Sequence, residues 1–259
     1  MNSWTILLNF ALSFGATLLP WIIILLLFFL LKNCIYKKST YYQITKTPYL
    51  FLMCDKGKYG EYLVYKNLQY FETKGAKFLF NVYIPKANTE TTEIDVLMIY
   101  EYGIFVFESK NYGGWIFGDE SKKHWHQTLP KGRGKAHKES FYNPIMQNRA
   151  HIKHLEVLCN KQIPMHSIIV FSNQCTLKNI KTRSEGVQII QQDKLYATVS
   201  SICKHADSVL NQADVQDIYN QLYPYTQVDK KVKEKHIANI NNHITSNNKD
   251  GFNKSNKQQ

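Results

Sequence analysis

The stretch Glu93-Ile-Asp-Val-Leu-Met-Ile-Tyr-Glu-Tyr-Gly-Ile-Phe-Val-Phe-Glu-Ser-Lys-Asn-Tyr-Gly-Gly114 decides how this chain folds. Two β-rich runs, Ile94 to Tyr100 and Ile104 to Lys110, are separated only by Glu101-Tyr102-Gly103. So short a separator predicts a hairpin in which Gly103 takes a positive φ. Antiparallel pairing about Tyr102 sets Asp95 opposite the segment from Glu108 to Lys110. The two-residue period of a strand puts Ile104, Val106, Glu108 and Lys110 on one face, and Phe105, Phe107 and Ser109 on the other. An acid and a lysine therefore continue an apolar face, where charges persist only when paired, hydrogen-bonded or bound to metal. Two carboxylates beside a lysine suit a divalent cation and a water placed for attack on a phosphodiester. Spacing alone fits equally well a strand end emerging into solvent with ordinary surface charges.

Upstream, Lys56 to Phe71 reads as a helix in which Val64, Leu68 and Phe71 recur at helical spacing and Glu61 falls on the same stripe with Tyr65. An inward-facing acid is unusual, although a first-turn Glu is also favoured by the helix dipole. Phe78 to Ile84 is a plausible strand. Downstream, Asn111-Tyr-Gly-Gly turns the chain into a short strand, Trp115 to Phe117. His124-Trp-His126 lacks a partnering Cys or third spaced His, and reads as strand-edge polar residues around a packing Trp. Lys131-Gly-Arg-Gly-Lys135, with Lys138 beyond it, is a basic loop, suited to phosphates or simply solvated; Lys131, Arg133, Lys135 and Lys138 are its candidate nucleic-acid contacts. Asn143-Pro144 caps and opens a helix to about Asn160. Its core stripe is Ile145, Ile152, Leu155 and Cys159, while Gln147, His151 and His154 share a polar stripe on which the histidines are expected in solvent. Ser167 to Phe171 and Val187 to Gln191 read as strands, Leu195 to His205 and Ala213 to Leu222 as helices.

The chain of 259 residues, 44% hydrophobic and 14% aromatic, has room for one ordinary domain with a real core. Trp4 to Leu31 carries no charge and as a helix would be ~42 Å long at ~1.5 Å per residue, enough to cross a membrane, with a kink expected at Pro20. No positive n-region or small-residue cleavage pattern marks it as a cleaved leader. Lys32, Lys37 and Lys38 follow the span, so the positive-inside rule places the body of the protein in the cytoplasm and the N-terminus outside. Five cysteines without a C-x-x-C pair argue against a disulfide framework and a zinc ribbon. A net charge of +12 favours an anionic partner, nucleic acid or the anionic leaflet. No P-loop, G-x-G-x-x-G or G-x-S-x-G is present, so nucleotide-triphosphatase, dinucleotide and serine-hydrolase classes lack their motifs. The expected organisation is an anchor with its basic flank over 1–38, a juxtamembrane connector with aromatic anchors Tyr41, Tyr42 and Tyr49 over 39–55, an α/β domain over 56–226 and a polar tail over 227–259.

In order and spacing, Gly60-Glu61, Ile94-Asp95, Gly103-Ile-Phe-Val-Phe-Glu108-Ser-Lys110-Asn111, Gly114, Trp125 and Gln147 resemble the NERD (nuclease-related) domain of the PD-(D/E)xK nuclease superfamily, over roughly Lys56 to Phe171. Ile94 stands where the superfamily name has Pro. The resemblance implies a restriction-endonuclease-like core, a mixed β-sheet flanked by helices, and metal-dependent hydrolysis of DNA. By the same resemblance Asp95 and Glu108 would hold Mg²⁺, or Mn²⁺ in its place. Lys110 would orient or activate the attacking water, Glu61 would complete the acidic site and Gln147 would line it. Since many relatives in the superfamily have lost activity, a catalytically silent module that binds DNA or a protein at the membrane is the alternative.

Overall fold

The computed structural model describes residues 3–86, 90–132, 136–159 and 162–239. The deciding stretch forms the expected hairpin. Strands β2 (Thr91–Tyr100) and β3 (Gly103–Lys110) pair antiparallel, Val96 against Phe107 and Tyr100 against Gly103, so Glu101 and Tyr102 alone make the turn. Gly103 has φ of 120°, and a Cβ there would collide with the carbonyl of Pro164.

Strand β1 (Lys77–Pro85) pairs antiparallel with the outer side of β2, and β3 pairs in parallel with β7 (Met165–Phe171), which is parallel in turn to β9 (Val187–Gln191). The result is a five-stranded mixed sheet of order β1-β2-β3-β7-β9. Helix α4 (Lys56–Glu72) lies on the face of Phe105 and Phe107, burying Val64, Leu68 and Phe71 with Phe78 and Phe80. Helix α5 (Pro144–Cys159) covers the opposite face, and α6 (Leu195–His205) and α7 (Gln212–Leu222) complete the core through Leu195, Val199, Val215 and Ile218. With helices on both faces, β3 is buried from Gly103 to Glu108, so its sequence reads as an almost unbroken apolar run. This is the α/β architecture expected, a mixed sheet flanked by helices.

A second sheet was not fully legible in the sequence. Strands β4 (Gly114–Asp119), β5 (His124–Pro130), β6 (Ala136–Tyr142) and β8 (Cys175–Lys181) pair in the order β6-β5-β4-β8. The candidate basic residues fall around the β5–β6 connection. Lys138 sits on β6 and Lys131 just after β5, while Arg133 and Lys135 lie outside the described residues. Strands β6 and β8 escape sequence detection because one face of each is in solvent and, apart from the buried Cys175, their inner apolar residues are only half-buried. The inner face packs Ile116 and Trp125 against Ile145, Ile169 and Phe171, with Trp125 stacked on Phe171 at 6.2 Å. Gly118 lies beneath the Trp125 ring, with no room for a Cβ.

The N-terminal helix α1 (Ser3–Lys37) runs for 35 residues through Pro20, and among the described residues it is the one helix long and apolar enough to cross a membrane. The connector after it forms two short helices, α2 (Thr40–Thr45) and α3 (Tyr49–Cys54), that fold back onto the domain. Tyr41, expected to be an interfacial anchor, is buried and meets Phe80 edge to face at 4.8 Å. At the other end, residues 230–239, expected to belong to the polar tail, are helical, and His236 packs edge-on against Tyr83. Residues 240–259 of that tail lie outside the described residues.

Candidate functional site

Charged side chains converge at the C-terminal end of β3. Lys110 Nζ donates to Glu108 Oε1 at 2.6 Å and to Gln147 Oε1 at 3.2 Å. Gln147 is delivered by the first turn of α5. There Asn143 Oδ1 accepts from the backbone N–H of Ile145 and Met146, while its Nδ2 donates to the carbonyls of Glu120 and Lys122. Asn148 pins the same turn to the sheet by donating to the Val106 carbonyl and the Ser167 hydroxyl. Asp95 follows the register one step beyond the Val96–Phe107 pair, so it faces Glu108, and its Oδ2 accepts from the Ser109 N–H at 2.8 Å.

Glu61 reaches the cluster from α4. Its Oε2 accepts from Asn81 Nδ2 at 3.0 Å and from the Tyr41 hydroxyl at 3.3 Å. Asn81 stands in β1 between the Phe80–Val96 and Val82–Ile94 pairs with φ of 49°, a left-handed conformation that asparagine tolerates better than most residues. The close approach of α4 depends on Gly60, where a Cβ would come within 2.9 Å of both Asn111 Cβ and Ser109 Oγ. Beside that contact a crevice is lined by Gly60, Ser109, Lys110, Asn111, Ser172 and Gln192.

The structure therefore groups Glu61, Asp95, Glu108, Lys110 and Gln147. Lys138 is instead exposed on β6 of the second sheet and Lys131 is exposed just past β5. It also corrects the reading of His151, which is buried rather than in solvent. Its Nε2 lies 3.2 Å from Glu108 Oε2 and its Nδ1 lies 2.7 Å from the Thr92 hydroxyl. A neutral ring carrying its proton on Nε2 satisfies both contacts, donating to Glu108 and accepting from Thr92. A trace of this was in the sequence, since His151 follows Gln147 by four positions and so shares its helix face. Asn81, one polar residue within Phe78-Leu-Phe-Asn-Val-Tyr-Ile84, was a similar unused hint.

The electrostatics are uneven. Burial would raise the Glu108 carboxyl, but the ammonium of Lys110 and the bond from His151 outweigh it and hold it below its usual value. Burial likewise pulls Lys110 down, yet the Glu108 carboxylate pulls harder and keeps the amine protonated above its usual value. Asp95 is raised well above the ordinary range, first by burial and then by the facing Glu108 and the nearby Glu61, against Lys110 and the Ser109 N–H. Glu61 is pushed up to about 7, mainly by burial, with Asn81 opposing and Glu93 adding to it. An ionised Glu108–Lys110 pair thus sits beside two acids that resist ionisation, an excess of buried carboxylate that a cation would relieve.

Residues 56–172 match the family described as the nuclease-related domain, NERD. An uncharacterized protein of Bacillus anthracis is 35% identical over 187 residues, covering 72% of this chain and 84% of that protein. No solved structure matches. The matched residues begin at the first residue of α4 and end just past β7, spanning every element that contributes to the carboxylate–lysine cluster except α2, and the chain belongs to the NERD, nuclease-related domain, family.

Proposed function

We propose that this chain is a membrane-anchored nuclease that hydrolyses DNA phosphodiester bonds with a divalent metal at the end of β3. The observation that carries the reading is the cluster itself. Glu108 and Lys110 stand two residues apart on one strand face, Asp95 faces them from the paired strand, and Gln147 holds the lysine from α5, the helix that covers that face.

The donor set fits a hard cation. Asp95 and Glu108 offer only oxygen, and among the described residues no group of three or more His, Cys, Asp or Glu side chains is assembled to hold a metal. Two carboxylates leave the remaining positions to water and phosphate oxygen, which suits Mg²⁺ with Mn²⁺ as a substitute. When bound, the metal supplies charge to the phosphate and lowers the pKa of an attacking water. Lys110, its ammonium held by Glu108, is placed to face the charge that builds on the phosphate and to orient water as a donor. Gln147 Oε1 and Glu108 Oε1 hold that ammonium in place. Glu61, tied by Asn81 and Tyr41, acts on Asp95 through space. Helix α1 supplies the anchor, and Lys32, Lys37 and Lys38 orient the domain to the cytoplasm.

The test is incubation of the full chain in detergent with supercoiled plasmid and linear duplex in Mg²⁺, Mn²⁺ or EDTA, beside Asp95→Asn and Lys110→Met. The expected result is metal-dependent cleavage that falls about a hundredfold or more in both variants. DNA binding without cleavage by any of the three proteins would overturn the nuclease and leave the binding module.

A further inference from the structure

The second sheet carries a face that the cleavage site does not use. The four strands pair with Trp115 opposite Thr128 and Thr176, Phe117 opposite His126, His126 opposite Ser140, and Thr128 opposite Lys138. Since Ile116, Trp125 and Cys175 point into the core, the residues alternating with them point away from it. Trp115, His126, Lys138, Ser140, Tyr142, Thr176 and Lys178 are all exposed along these strands. Trp115 is 51% exposed and Tyr142 44%, unusual for large aromatic rings on a strand with a packed inner face. Lys178 Nζ lies 5.3 Å from the centre of the Trp115 ring, and His124 meets Tyr142 edge-on at 6.4 Å.

The charge of this face is mainly positive. Lys138, Lys178 and Lys181 are exposed on it; Asp119 stands opposite Lys181 and offsets that one cation, and Glu139, alternating with Lys138 on β6, is bonded to His137, which leaves Lys138 and Lys178 as the face's unopposed charges. Cations interleaved with flat exposed rings on an open sheet match a polyanion whose π-faces are free. Paired bases hide those faces inside the duplex, whereas an unpaired strand presents them for stacking while lysines take the phosphates. The sheet begins at Gly114, four residues after Lys110, so the face and the carboxylate cluster are joined by one short turn.

We propose that the solvent face of the β6-β5-β4-β8 sheet binds unpaired nucleic-acid strand, with Trp115 as a base-stacking platform and Lys138 and Lys178 as phosphate contacts. The proposal stands apart from cleavage, because a protein that cuts nothing still binds through this face.

The test is fluorescence anisotropy of labelled oligothymidine and of a hairpin duplex with the full chain in detergent and EDTA. Parent, Trp115→Ala and Lys178→Ala are compared, and their sedimentation with phosphatidylglycerol vesicles is measured in parallel. Trp115 and Lys178 are exposed, so both variants keep the fold, which circular dichroism checks. The expected result is tighter binding of oligothymidine than of duplex, about a tenfold loss in Trp115→Ala, and a salt dependence shallower by about one counterion in Lys178→Ala. Equal oligothymidine affinity for parent and Trp115→Ala would overturn the proposal, as would a preference for duplex. Loss of vesicle binding in Trp115→Ala with oligothymidine affinity unchanged would make the face a lipid surface instead.

Discussion

Replacing His151 tests whether the buried carboxylate is held by the network described. His151→Leu keeps most of the side-chain volume and removes both ring nitrogens. Glu108 Oε2 then loses its donor and the Thr92 hydroxyl loses its partner, at a residue exposed by only 3%. A hydrogen bond to an ionised carboxylate contributes about 1.5–3 kcal/mol and a neutral one about 1 kcal/mol. Lys110 still neutralises Glu108 through Oε1, which keeps the loss below that of a fully orphaned buried charge. The expected destabilisation is about 2–4 kcal/mol, or roughly 5–15 °C in melting temperature for a domain of this size. His151→Gln restores a donor of similar reach and should recover about half of the loss. The assay is thermal unfolding in EDTA followed by near-ultraviolet circular dichroism. A Leu variant melting with the parent would refute the argument. A Gln variant no better than Leu would show that packing, not the bond to Glu108, is what His151 contributes.

Two further predictions concern charge and packing. In EDTA, stability should fall as pH rises from 4.5, the ordinary value, to about 7, because in that window folded Glu61 retains a proton that the unfolded chain has released; Asp95 acts in the same direction. Urea titrations across the window should show this slope flattened in Glu61→Gln, and Mg²⁺ should stabilise the parent more near pH 8 than near pH 5; an unchanged slope in the variant would remove Glu61 as its source. Gly118→Ala should cost about 2 kcal/mol or more by forcing the Trp125 ring off Phe171, whereas an unshifted urea midpoint would mean that the indole moves aside freely.

Local rules go far in this chain because its main elements are locally consistent. The hairpin from Ile94 to Lys110 follows from alternation and a two-residue turn, and the α4 and α5 stripes follow from helical spacing, since each buries one regular face. The same reasoning predicts the meeting of Asp95 with the end of β3, because antiparallel register is arithmetic once the turn is known. What strand and helix periods cannot express is which elements face each other. His151 looks like a surface residue until α5 is laid over Thr92 and Glu108. Asn81 shows its left-handed backbone and its bond to Glu61 only when α4 is seated through Gly60. Strands β6 and β8 carry too little apolar pattern to announce themselves, and acquire their meaning by pairing at the two edges of a sheet whose inner face is closed by Trp125 and Phe171. The sequence by itself determined the α/β class, the apolar N-terminal helix and the order of acids and lysine. Tertiary packing alone decided which of those charges are ionised, because burial and the facing partners that set it come from segments far apart in the chain.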